Sequence, residues 1–99
     1  MQFIVIGRDG SDPEALNRRL AARPAHIELG TKHREEGKQL YGVAMLDDQE
    51  RMIGSVVIVD FASRAELDAW LAVEPYVTGK VWETIEIYPG RVGPSFLTK

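Results

Sequence analysis

Residues 39–60 read QLYGVAML-DDQE-RMIGSVVIVD, two apolar runs joined by a cluster of polar turn formers, and the pattern predicts a β-hairpin with strands at Gln39–Leu46 and Arg51–Asp60. What flanks the hairpin decides the fold. Upstream, Gln2–Arg8 is a third apolar, β-branched run that stops at Asp9-Gly10-Ser11-Asp12-Pro13, all turn residues. From Pro13 to about Glu36, Leu16, Leu20 and Ile27 recur at helical spacing and predict an amphipathic helix whose apolar face they form. Ser11 or Asp12 is placed to cap it, and Pro24 predicts a kink or a restart, since proline lacks an N–H and disfavours α geometry at Arg23. Gly37 closes this helix.

Downstream, Ser63 with Glu66 forms a capping-box pattern ahead of Leu67, Trp70 and Leu71, a short second helix ending near Glu74-Pro75. Lys80–Tyr88 alternates as a last strand, ended by Pro89-Gly90, and the tail from about 90 to 99 reads as irregular. The order β-α-β-β-α-β is the split βαβ pattern of ferredoxin-like α+β folds, with an antiparallel sheet and both helices on one face. At 99 residues the chain reads as one domain, 1–99. Phe3/Val5 and Ile4/Ile6 put apolar groups on both faces of their strand, as do Val57/Val59 and Val56/Ile58. The face without helices needs a cover, and a second copy of the sheet is the simplest, so a homodimer is expected.

The absence of cysteine removes disulfides, thiolate metal sites and Cys nucleophiles. Net charge is −3, with basic and acidic residues interspersed, so no stripe exists to displace counterions and nucleic acid is not an expected partner. Arg18-Arg19 and Lys32/Arg34 read as a solvated helix face. No apolar run approaches the ~20 residues needed to span a bilayer and no leader pattern opens the chain, so a cytoplasmic protein without membrane contact is expected. The glycines form no dinucleotide or P-loop fingerprint, and no cofactor is indicated.

Proton chemistry is what the remaining side chains offer. His26 is one of two histidines, and since an imidazole as a side-chain type titrates near working pH it is the best general acid or base candidate in the chain, although an ordinary core-edge histidine would look the same. His26 and His33 lie two turns apart on one helix, about 10 Å, too far to share a metal, and no metal site is expected. Glu74 opens Glu74-Pro75-Tyr76, where proline can hold a carboxylate and a phenol at a defined angle; a helix-ending Glu-Pro would read identically. Were Glu74 to meet His26, it would fix the imidazole tautomer and favour the charged form. Arg23, Arg8, Ser55 and Tyr41 are second candidates, Ser55 standing beside Gly54, a glycine that marks either a bulge or a close approach. Trp70 and Trp82 read as core and interface.

Arg23/His26, Gly54-Ser55 and Glu74-Pro75-Tyr76, in this order across nearly the whole chain, resemble the YciI-related family. The resemblance implies a dimeric ferredoxin-like protein with a site around a histidine and an aspartate, some relatives being dehydrochlorinases of chlorinated aromatic compounds. It implies His26 and Glu74 as catalytic residues, with Arg23, Ser55 and Tyr76 binding a small molecule. Glu74 stands where the family has aspartate, an arm longer by one methylene, enough to displace the carboxylate by roughly 1 Å. Two functions follow, a cofactor-free lyase or isomerase and a non-catalytic ligand-binding or accessory dimer. The dimeric α+β barrel of monooxygenases and muconolactone isomerases shares the element order and is the alternative assembly.

Overall fold

Strand β1 (Gln2–Asp9) runs through the middle of a four-stranded antiparallel sheet, because its alternation of Phe3, Val5 and Gly7 with Ile4 and Ile6 lets both of its faces pack. The computed structural model describes residues 1–96. The hairpin strands β2 (Gln39–Leu46) and β3 (Met52–Asp60) join β1 through β3, and β4 (Trp82–Gly90) takes the other side, giving the order β2-β3-β1-β4. Helices α1 (Ala15–Glu35), α2 (Arg64–Val73) and α3 (Pro75–Thr78) cover one face. The chain is thus α+β, with the expected element order and one additional helical turn, α3, which lies beyond the Glu74-Pro75 end expected for the second helix.

Ladder register sorts the side chains. Val5 stands between Val57 and Ile87, and Phe3 between Val59 and Pro89, all on the helix side. There they meet Phe61, Leu67, Trp70, Tyr76 and Val81 in one core. Each such large apolar side chain taken out of water contributes about 1.5–3 kcal/mol. The opposite face carries Ile4, Ile6, Val56 and Ile58, half-buried, flanked by the more exposed Tyr41, Val43 and Tyr88.

Helix α1 departs from its sequence reading in several ways. Leu20 and Ile27, expected in the core, are 49% and 47% exposed, whereas Ala15 and Arg19 are buried. The inward stripe is Ala15, Arg19, Ala22, His26, Leu29 and His33, alternate steps of four and three that a polar-for-apolar exchange hides. Arg19 therefore does not lie on a solvated face; its neighbour Arg18 does, pairing with Asp12 at 2.6 Å and holding that carboxyl down to about 2. No restart occurs at Pro24, and α1 runs through it as a single helix. Nor do Ser11 or Asp12 cap it: Glu14 occupies the cap position and makes no capping bond, its Oε1 accepting from Asn17 Nδ2, and Asp12 Oδ2 accepts from the Glu14 N–H two residues on.

At the other end, Gly37 adopts φ +75° and its N–H bonds to Arg34 O, the closure expected there. Ser63 Oγ accepts from Glu66 N at 3.2 Å and starts α2. Strand β4 begins at Trp82 and continues through Pro89 and Gly90, instead of ending before them, because β4 is an edge strand and an edge tolerates a missing N–H. The tail is not wholly irregular: Pro94–Phe96 forms a 3-10 turn, and residues 97–99 of that reading lie outside the described residues.

Candidate active site

Glu74 is placed by two helices at once. It ends α2, where its N–H bonds to Trp70 O, and it caps α3, where its Oε1 accepts from Tyr76 N at 3.0 Å. Pro75 at the first position of α3 has no N–H to leave unpaired and sets the backbone that aims the carboxylate inward. The residue is 0% exposed. Across from it, His26 on the inward stripe of α1 brings Nδ1 to 2.5 Å from Oε1 of the same carboxylate. The longer glutamate arm thus reaches the imidazole, and the rest of the ring is held by a parallel stack on Tyr76, with centroids 3.7 Å apart and planes 9° apart.

With Nδ1 committed to the carboxylate, the neutral imidazole carries its lone pair at Nε2, which has no protein partner among the described residues. The ring is partly exposed, toward a cavity of about 640 Å³ between α1 and the hairpin, lined among others by Arg23, His26, Ser55 and Tyr76. Burial pushes the Tyr76 phenol up, with Arg19 and Arg23 pulling it the other way, so it stays protonated at neutral pH and can donate.

A second buried constellation adjoins the first. Arg19 Nη1 reaches both oxygens of Asp9 at 2.9 and 3.0 Å, and Nη2 donates to Ser55 Oγ at 2.8 Å. Its guanidinium carbon stands 4.7 Å from the centre of the Tyr76 ring, so the same phenol ring contacts both Arg19 and His26. Trp82 Nε1 also donates to Ser55 Oγ, at 3.3 Å. Burial pushes the Asp9 carboxyl up while Arg19 opposes it.

Of the residues singled out in the sequence, the fold brings Arg23, His26, Ser55, Glu74 and Tyr76 to one place. Tyr41, at the edge strand β2, is among the residues lining the cavity as well as flanking the opposite sheet face, and Arg8 lies on that far face, paired with Glu86. His33 stands apart, edge-on to Phe61, and burial lowers its pKa. Gly54 marks a close approach: a Cβ there would fall 2.7 Å from Gly7 O. Both tryptophans belong to the core, and Trp82 in addition serves the cavity through Ser55. Arg19 and Asp9 were not among the sequence candidates. The 4-3-4-3 spacing from Ala15 to His33 is the signal that places Arg19 inward. Among the described residues, no group of three or more His, Cys, Asp or Glu could hold a metal ion, and no helix is long and apolar enough to cross a membrane.

Residues 1–91 match the YCII-related domain. The chain is 30% identical over 95 residues to protein YciI of Escherichia coli, covering 90% of this chain and 95% of that one, and equally to YciI of Shigella flexneri. Among solved structures it is similar to 5-chloro-2-hydroxyhydroquinone dehydrochlorinase (TftG) from Burkholderia phenoliruptrix in complex with 2,5-dihydroxybenzoquinone, with a TM-score of 0.80, 20% identity and coverage of 96% and 98% of the two chains. Rv0793 from Mycobacterium tuberculosis is also similar, with a TM-score of 0.58, 18% identity and coverage of 95% and 99%. At these identities the structural likeness establishes the fold.

Proposed function

The chain belongs to the YCII-related family, and we propose that this protein is an acid–base catalyst, a lyase or isomerase, moving a proton on a small oxygenated ring held between α1 and the hairpin. The observation that carries the reading is the pairing of His26 Nδ1 with the wholly buried Glu74 carboxylate at the wall of an open cavity. In this reading Nε2 of His26 takes the proton, and Glu74 holds the ring and offsets the charge of the imidazolium that forms. Tyr76 keeps the imidazole flat against its own ring and limits its rotation. Arg23, without an ion-pair partner among the described residues, faces the same space and suits an anionic ligand.

The structural neighbour from Burkholderia gives a trial reaction. Loss of hydrogen chloride from a chlorinated hydroxyhydroquinone needs no oxidant. Tautomerisation first sets a hydrogen on the chlorinated carbon; a base then takes a hydroxyl proton, the O–H pair closes a C=O bond, the ring C=C pair at that carbon shifts to form a double bond to the chlorinated carbon, and chloride leaves with the C–Cl pair. A histidine–carboxylate pair has the equipment for both proton movements.

The test is chloride release from 5-chloro-2-hydroxyhydroquinone by the wild type, His26→Gln and Glu74→Gln, beside solvent-deuterium uptake into the ring. Loss of a positioned acid–base typically costs about 10²–10⁴-fold, and that loss is expected in His26→Gln. Turnover in His26→Gln at the wild-type rate would falsify the dyad. Binding without turnover or exchange by the wild type would favour a non-catalytic ligand-binding role, the reading that the unpaired Arg23 at the cavity also suits.

The assembly is part of the same proposal. Among the described residues, α1, α2 and α3 leave uncovered the sheet face carrying Ile4, Ile6, Val56 and Ile58, where only the C-terminal turn comes near through Phe96 beside Ile4 and Ile58, and a second copy presenting the same face would cover it as a two-fold dimer.

A further inference from the structure

Ser55 sits on β3 where Arg19 and Trp82 converge, and both of these residues give it hydrogen bonds. Neither can receive one, since a guanidinium and an indole N–H are donors only. A hydroxyl oxygen has two lone pairs, and both are taken. Its own hydrogen is then available only for donation, and no acceptor for it exists among the described residues. Ser55 is 3% exposed yet lines the cavity, so the acceptor has to come from there. We propose that Ser55 is a committed hydrogen-bond donor to an oxyanion of the ligand, a phenolate, enolate or carboxylate, and that Arg19 and Trp82 are positioning residues that enforce this polarity.

The arrangement is built into the core. The Arg19 and Asp9 side chains are 2% and 3% exposed and lock one another, which fixes Nη2 at Ser55. Gly7, opposite Ser55 in the β1–β3 ladder, leaves room for the indole: a Cβ at Gly7 would fall 2.5 Å from Trp82 Cε2 and nearer still to Cγ and Cδ2. Only without that Cβ can the Trp82 N–H reach the serine.

The electrostatics select a negative acceptor over a neutral one. Arg19 donates into Oγ with a charged group and so polarises the remaining O–H bond. Arg23 and Arg34 line the same cavity, and Glu35 is the one acidic side chain among its lining residues. Proton abstraction from an oxygenated ring leaves charge on a ring oxygen, where a fixed donor held in the buried wall of the site acts on it directly. This inference rests on the cavity being the substrate site and adds the substrate's class.

The probe is 2,5-dihydroxybenzoquinone, an anion at neutral pH, titrated by absorbance into the wild type, Ser55→Ala, Ser55→Cys and Trp82→Phe, each checked for folding by circular dichroism. A hydrogen bond to a charged group is worth at least about tenfold in affinity, so both Ser55 variants should bind the anion at least about tenfold more weakly. Binding of uncharged hydroquinone should change little. Trp82→Phe, which returns one lone pair to Ser55, should weaken binding less than Ser55→Ala, and the double variant no more than Ser55→Ala alone. Wild-type affinity in both Ser55 variants, or no binding of the anion by the wild type, overturns the assignment. If the anion binds through Ser55 while turnover ignores His26, the acid–base reading fails and the donor assignment stands; if turnover needs His26 while the Ser55 variants bind normally, only the assignment fails.

Discussion

Replacing Gly7 with alanine should destabilise the protein and loosen the candidate site together. The added methyl would lie 2.5 Å from Trp82 Cε2, whereas carbon atoms in contact normally stand about 3.5–4.0 Å apart. The indole must therefore withdraw by more than about 1 Å. It has little freedom to do so, being 5% exposed and edge-on to both Tyr76 and His26. Overpacking of this kind costs about 1–3 kcal/mol. Alanine in a strand recovers roughly 0.5–1 kcal/mol over glycine; with three indole atoms inside contact distance the overpacking cost lies in the upper part of its range, about 2–3 kcal/mol, so a net loss of about 1–2 kcal/mol is expected. For a domain of this size each kcal/mol lowers Tm by about 4–8 °C, which puts the fall at about 5–15 °C. Circular dichroism melts read the Tm, and tryptophan fluorescence reads the displaced indole. The affinity for 2,5-dihydroxybenzoquinone should fall as well, since Nε1 leaves Ser55. A Tm within about 2 °C of wild type, with an unchanged tryptophan spectrum, would refute the reasoning.

Glu74→Ala strips the cap from α3 and leaves buried donors at His26 and Tyr76; a cap is worth about 1 kcal/mol and a stranded buried group about 1–3, so a loss of about 2–4 kcal/mol in urea unfolding is expected, with Glu74→Gln recovering most of it. Burial lowers the pKa of His33 below 6.5, so the unfolded chain takes up a proton there more readily than the folded one. The stability tied to His33 is therefore fully present above pH 6.5 and is lost as pH falls through the lower folded value; urea midpoints compared at about pH 7.5 and about pH 5.5 should differ less in His33→Leu than in wild type. Ile58→Lys sets a charge in the middle of the open sheet face and should shift sedimentation from dimer to monomer, while a monomeric wild type would remove the proposed assembly.

The sequence alone carried the element order, the hairpin, the Ser63 cap and the apolar character of both sheet faces. These are local properties. Strand alternation, turn chemistry and caps are written within a few residues, and the energies behind them do not depend on what packs above. It also singled out His26 and Glu74 by residue type, but 48 positions separate them, and only the packing of α1 against the α2–α3 junction brings them to 2.5 Å. The inward face of α1 is hidden in the sequence for a related reason. Leu20 and Ile27 look like core residues, and Arg19 does not, until Asp9 and Ser55 supply the partners that make burying a guanidinium tolerable. Whether a charge can be buried is decided by what the rest of the chain places around it, and that is a property of the tertiary structure.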